Sequence, residues 1–236
     1  MARLSGRFEA PLTRYRFSRG EMMDITARHQ VVLRRVAERE CGRQDLNYCM
    51  THELPRAARE VALQLEAFQT QTLSGLRSAF RELSAVPDRK TVVVVSGGLL
   101  ATDRVGSRGT NAELITSLGQ EASRANLNLY VLHMDSTFLD AFTPQSRTPA
   151  HEIFRDESML RQGLEQFAGI AGGELFRAQT GVGDNAFARI LRETSSYYVL
   201  AVEPEARLRD GRAHRITVRV TRPNVVIRAR PWVTLR

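Results

Sequence analysis

The chain has 236 residues, 42% hydrophobic and 25% charged, an ordinary globular composition with room for one large domain or one domain plus appendages. Its formal charge of +8 invites an anionic partner, yet Lys90 is the only lysine among 34 basic residues and the arginines are spread along the chain, so no nucleic-acid surface is expected. No apolar run approaches the roughly 18 residues of a membrane span, and Met1 to Arg7 carries no signal-peptide core.

Residues 1–20 are irregular and Arg-rich. Met22, Ile25, Val32, Leu33 and Val36 then recur at helical spacing, which predicts one helix over 21–40 that Gly42 stops. Cys41 and Cys49 enclose a polar loop of seven residues. They fit a disulfide in an oxidising compartment or two ordinary thiols equally well. With His52 alone nearby, they make a poor metal site. Pro55 stands where a helix can begin, and Val61, Leu65, Phe68, Leu73, Leu76, Phe80 and Leu83 predict a long amphipathic helix over 56–85.

Lys90 to Ser96 follows, with four consecutive valines. Such a run predicts a central parallel strand buried on both faces. A helix is expected over 110–125, capped by Thr110 or Asn111, and a strand over 126–133. A loop with Pro144 and Pro149 leads to a helix over 157–171, a short strand over 174–178, a helix opened by Asp184, and a buried strand over 197–202. Strands alternating with helices argue for a mostly parallel, Rossmann-like sheet with covering helices. The tail differs: Ile216, Val218 and Val220 alternate with Arg215, Thr217 and Arg219, then Thr221 to Asn224 turn into Val225 to Arg230, which reads as an antiparallel hairpin.

This order, with Lys90-Thr-Val-Val-Val-Val-Ser96, Leu129-Tyr-Val-Leu-His-Met-Asp135, Gly172-Gly-Glu-Leu-Phe176 and Ser196-Tyr-Tyr-Val-Leu200, resembles the later half of a von Willebrand factor type A domain. Ser195 to Leu200, Asp210 to Ile216 and Val226 to Arg230 resemble a bacterial subfamily, the VWFA-related proteins of Acidobacteria. The resemblance spans residues 56–236 and implies a doubly wound sheet, often with a metal-ion-dependent adhesion site. That site takes an Asp-x-Ser-x-Ser motif after the first strand, a Thr in a later loop and an Asp after the fourth strand, and holds a hard cation such as Mg²⁺ through oxygens. Here the motif and the first strand are missing, and Gly97 stands where the family often has Asp. The resemblance therefore implies a degenerate site over Ser96, Gly97 and Gly98, and Mg²⁺ enters only if an Asp-x-Ser-x-Ser strand lies upstream. Members of the subfamily are often exported, which implies an extracytoplasmic setting although no signal is read in this chain.

Strand ends are where open α/β sheets bind ligands, so the Ser96–Gly98 turn is the first place to look. Ser96 lacks the Gly-x-Ser-x-Gly of a nucleophile elbow, and the glycines lack a phosphate-loop pattern. Asp135, which closes the next strand, is the one weak candidate for a cation or partner; an Asp in such a place more often caps the next turn. His133 just before it reads as a packed histidine, Asp103 as a solvated loop residue, and His151-Glu152 is not the zinc-protease helix.

The sequence thus predicts three regions: a helical N-terminal segment with the Cys loop at 1–55, a partial von Willebrand A core at 56–202, and a hairpin extension at 203–236. The expected function is protein binding without catalysis and without a cofactor. The rivals are a hydrolase or nucleotide-binding enzyme on the same sheet, and a truncated structural remnant.

Overall fold

The computed structural model describes residues 14–42, 45–86, 89–100, 112–135, 148–170, 173–178, 183–195, 198, 203–224, 227, 229 and 232–234. They divide into two compact units, one from the described residues up to 72 and between 136 and 159, the other from those in 73–135 and 160–236.

In the first unit, helix α1 (Arg19–Thr26) starts from a capping box. The Ser18 hydroxyl accepts from the Glu21 N–H at 3.0 Å, and the Glu21 carboxylate accepts from the Ser18 N–H at 3.0 Å, which satisfies two otherwise orphaned donors. The single helix expected over 21–40 is in fact two. Arg28 turns left-handed at φ 60°, its N–H bonds the Ile25 carbonyl, and the His29 N–H bonds that of Asp24. That is the Schellman pattern, with an arginine where glycine is usual. Helix α2 (Gln30–Glu40) then buries Val32, Leu33, Val36 and Ala37, and Gly42 at φ 60° follows its end, as expected. One turn, α3 (Leu46–Tyr48), is capped by the Asp45 carboxylate and runs through a π-helical turn, Cys49–Glu53, into α4 (Leu54–Ser84). Cys41 and Cys49 are bonded as a disulfide.

Helix α6 (Ala150–Ile170) begins two turns earlier than the expected 157. In its early turns the buried positions include two carboxylates, Glu152 and Asp156, while Phe154 is exposed. Both carboxylates are partnered. Asp156 accepts the first two N–H groups of α1, from Arg19 at 2.6 Å and Gly20 at 2.8 Å, an anion placed at a helix N-terminus. From there a chain of alternating charge runs Asp24–Arg155–Glu152–Arg35–Glu21–Arg39–Glu40. Gly20 lets Arg155 close in, since a Cβ there would lie 3.0 Å from the guanidinium carbon. Buried carboxylates survive because each is paired or hydrogen-bonded.

The second unit holds a three-stranded parallel sheet, β1 (Lys90–Ser96), β2 (Leu127–Met134) and β3 (Glu174–Ala178), in the order β1-β2-β3 and flanked by helices, a mixed α/β arrangement compatible with a Rossmann-like fold. Strand alternation sorts the faces. Val92, Val94, Leu127, Leu129, Val131 and Leu175 pack with Leu73 and Phe80 of α4, Ile115 and Leu118 of α5 (Ala112–Arg124), and Leu164 and Phe167 of α6. Val93, Tyr130, Leu132, Phe176 and Ala178 pack with Ala186 and Ile190 of α7 (Gly183–Thr194).

The valine run corrects an expectation. It is an edge strand among the described residues: Val92, Val93 and Val94 are half-buried and Val95 is 58% exposed. The central strand is β2, buried from Leu129 to His133. Four valines reflect β-propensity, which edge and central strands share.

The strand expected over 197–202 lies outside the described residues except Tyr198, which is exposed. Asp103, Thr110 and Asn111 lie outside them too. In the tail, Arg215, Thr217 and Arg219 are exposed and Ile216 and Val218 half-buried, but Val220 and Ile227, expected on the buried face, are exposed, so the alternation holds only over its first residues. The antiparallel pairing that is described joins β4 (Ala213–Arg215) to β5 (Trp232–Thr234), with Arg215 opposite Trp232. Residues 216–220 are in no strand, and most of the second expected arm lies outside the described residues.

Candidate functional site at the strand ends

The register aligns Ser96 of β1 with His133 of β2, and His133 with Arg177 of β3. In-register residues of parallel neighbours point to one face, so these three side chains form the last row of the sheet before its carboxyl end, about 10 Å across.

Beyond Ser96 the chain turns sharply. The Ser96 hydroxyl accepts from the Gly98 N–H at 3.1 Å and donates to the Gly98 carbonyl at 3.2 Å, so it serves backbone groups at the strand end. Gly98 sits at φ +145°, and a Cβ there would lie 2.6 Å from Leu160 Cβ. The Leu99 N–H donates to the Leu160 carbonyl at 3.2 Å, and a Cβ on Gly163 would collide with the Leu99 carbonyl. Two glycines thus let this turn and α6 touch through backbone. Gly97 differs: it is exposed, with nothing among the described residues within 4 Å of where its Cβ would be.

His133 is fully buried. Burial holds its imidazole below the ordinary histidine range; the Asp135 charge and the Gly97 backbone pull it up, and Arg177 and Arg161 push it down. It is packed inside the sheet, in the row between Ser96 and Arg177. Asp135 is half-buried, and its N–H donates to the Ala178 carbonyl at 3.3 Å, tying the ends of β2 and β3.

The structure therefore brings Ser96, Gly97, Gly98 and Asp135 to one edge of one sheet. It also brings two residues that the sequence reading passed over. Arg161 follows Leu160, the residue under Gly98, and ion-pairs with Glu165. Arg177 is exposed, with no carboxylate partner among the described residues. Neither lies in a motif; only the strand register and the α6 contact reveal them.

As a cation site the group does not fit. A hard cation needs six or more oxygens, and the described set offers one hydroxyl already engaged by Gly98, one carboxylate and two arginines. No group of three or more His, Cys, Asp or Glu among the described residues is arranged to hold a metal ion. The cysteines, buried and bonded to each other, belong to the other unit and offer no thiol chemistry. No helix among the described residues is long and apolar enough to cross a membrane. No protein-family model, no curated protein and no solved structure matches the chain.

Proposed function

We propose that the chain is a non-enzymatic interaction domain of von Willebrand A type, which engages a protein partner through the strand-end turn at Ser96–Gly98. The observation that supports it most is the state of that turn: Gly97 stands open, the one hydroxyl is engaged by Gly98, and the adjacent imidazole is enclosed. A surface with open backbone and, among the described residues, no accessible nucleophile–base pair suits recognition rather than turnover. Three parallel strands in sequential order after a long helix agree with the later half of that family's order of elements. The double winding and a C-terminal hairpin arm belong to this proposal. So does an extracytoplasmic setting, which the Cys41–Cys49 disulfide supports, because such bonds persist in oxidising compartments. The adhesion site is degenerate, without a metal.

A photo-crosslinking side chain at Gly97, compared with one at the exposed Gly211, tests the reading in cells that make the protein. The expected result is a discrete protein adduct from position 97 alone. Equal labelling from both positions, or turnover of esters or nucleotides that survives purification, overturns it.

A further inference from the structure

We infer that the edge of β1 is a self-association surface whose occupant is β1 of a second copy of this chain, run antiparallel across a two-fold axis. The backbone of β1 sets the case. The Lys90 N–H donates to the Asn126 carbonyl at 3.1 Å, and Lys90, Val92, Val94 and Ser96 share the phase of that bond along the register with β2. Alternate residues of a strand turn their backbone groups to opposite sides, so Thr91, Val93 and Val95 direct N–H and C=O away from β2, toward the edge. Among the described residues no strand pairs with that edge. Edges of this kind are ordinarily guarded by a charge, a proline or a bulge. Thr91 to Ser96 holds none of these: it is five β-branched residues and a serine in unbroken register with β2. Lys90, at the start, is engaged through its ammonium by the Val86 carbonyl. Thr91 is exposed and Val95 is 58% exposed, so the edge also leaves hydrocarbon in water.

The strand itself is complementary to such an edge. A two-fold axis perpendicular to the sheet keeps each face continuous, so even-numbered residues must oppose even and odd must oppose odd. Centred on Val93, the axis pairs the whole strand: Val93 with the copy's Val93, Thr91 with the copy's Val95, Val92 with the copy's Val94, and Lys90 with the copy's Ser96. The edge-facing residues then meet one another, and each such pair exchanges two N–H···O=C bonds. Val92 and Val94 meet on the face that packs with Leu73 and Phe80, and Val93 on the face that carries α7. Pairs of β-branched side chains stabilise a sheet, and no like charges are opposed. Moving the axis to Val92 or Val94 loses pairs from one end, so overlap fixes the register. The contact is isologous and closes at two copies, which covers the edge instead of propagating it. The paired segment ends where the Ser96–Gly98 turn begins, and the pairing holds whether or not that turn engages a partner.

Two measurements on the full chain test this. In sedimentation equilibrium the protein should pass from one chain mass, 26.6 kDa, below about 1 μM to twice that above about 100 μM, the range of a small interface. Hydrogen exchange at the upper concentration should protect the Thr91, Val93 and Val95 amides as fully as those of Val92 and Val94, and dilution should strip about tenfold or more from those three alone. T91K/V95K sets lysine opposite lysine twice across the axis and should stay one chain in mass, whereas T91E/V95K sets Glu opposite Lys and should restore the pair. Both positions are exposed, and the wild-type exchange pattern decides the matter should a variant not fold. A single chain mass at about 100 μM with the three amides unprotected overturns the inference, as does a dimer that T91K/V95K leaves intact. Mass that keeps rising past two chains overturns the closed pair in favour of open edge-to-edge aggregation. Protection of the three amides that does not change with concentration, at one chain mass, identifies a segment of the same chain as the occupant and overturns the second copy.

Discussion

Arg39 holds Glu21 through two parallel bonds, Nη1 to Oε1 at 2.9 Å and Nη2 to Oε2 at 2.8 Å, and Glu21 is fully buried while Arg39 is 17% exposed. Such a pair adds little over an apolar contact, but breaking it leaves an uncompensated charge inside. R39M is expected to destabilise the fold by about 3 kcal/mol. E21Q keeps the acceptor for the Ser18 N–H and loses about 2 kcal/mol. The double variant falls short of the sum by at least about 1 kcal/mol, because the residues act as one unit. Urea midpoints of the four proteins give the coupling. Additive losses would show that Glu21 is held by its other partners.

Acid acts on this network with two signs. Burial raises the Glu21 carboxyl, but the Arg39 bonds, the Ser18 N–H and the Arg39 and Arg35 charges outweigh it, so it lies below its ordinary 4.5. Its contribution is whole above about pH 4.5 and is lost as pH falls through the folded value. Asp156 is raised above its ordinary 3.8, burial prevailing over the N–H bonds from Gly20 and Arg19. Its contribution is whole below 3.8 and lost as pH rises through the folded value, so acid relieves it. In stability measured from pH 3 to 8, E21Q should flatten the limb below about 4.5 and D156N should steepen it. His133, held low by burial, adds a decline that starts as pH falls below about 6.5, and H133Q should remove it. Parallel curves for all the variants would refute the assignments.

Legibility followed the physics of each element. Helices α4 and α5 and strands β2 and β3 were readable because apolar spacing and burial coincide in them. The early turns of α6 were not, because Glu152 and Asp156 occupy buried positions where an apolar pattern expects hydrocarbon, and their partners are over a hundred residues away. The break between α1 and α2 was hidden because Arg28 takes the left-handed position that glycine or asparagine normally marks. At the candidate site the turn was readable from Ser-Gly-Gly, but Arg161 and Arg177 join it only through register and helix packing.

The disulfide closes a short loop between the end of α2 and the π-helical turn ahead of α4, with a sequence separation of eight. Loop-closure entropy for a span of that size gives about 2.5 kcal/mol. The C41S/C49S variant should lose that amount, read as a lower urea midpoint. Since Cys41 and Cys49 are buried, reductant should act on the native protein only as fast as the region opens. Immediate reduction at low temperature would contradict the burial.

Gly97 and Gly98 are neighbours with opposite constraints, and substitution separates them. Gly98 combines φ +145° with the close approach of Leu160, whose Cβ, Cγ and Cδ2 all lie within 3 Å of an added methyl. A side chain there must shift backbone or α6, so G98A is expected to cost about 2 kcal/mol or more. G97A meets open space and should change stability by less than about 0.5 kcal/mol. The same openness makes Gly97 the place to introduce the carboxylate that the proposed von Willebrand A reading would expect there. G97D should fold, yet its melting temperature should move by less than about 1 °C between chelator and 5 mM Mg²⁺, because two carboxylates beside Arg161 and Arg177 do not make a hard-cation shell. A metal-dependent rise of several degrees in G97D would show that the remaining oxygens are within reach and that the site lacks only that aspartate.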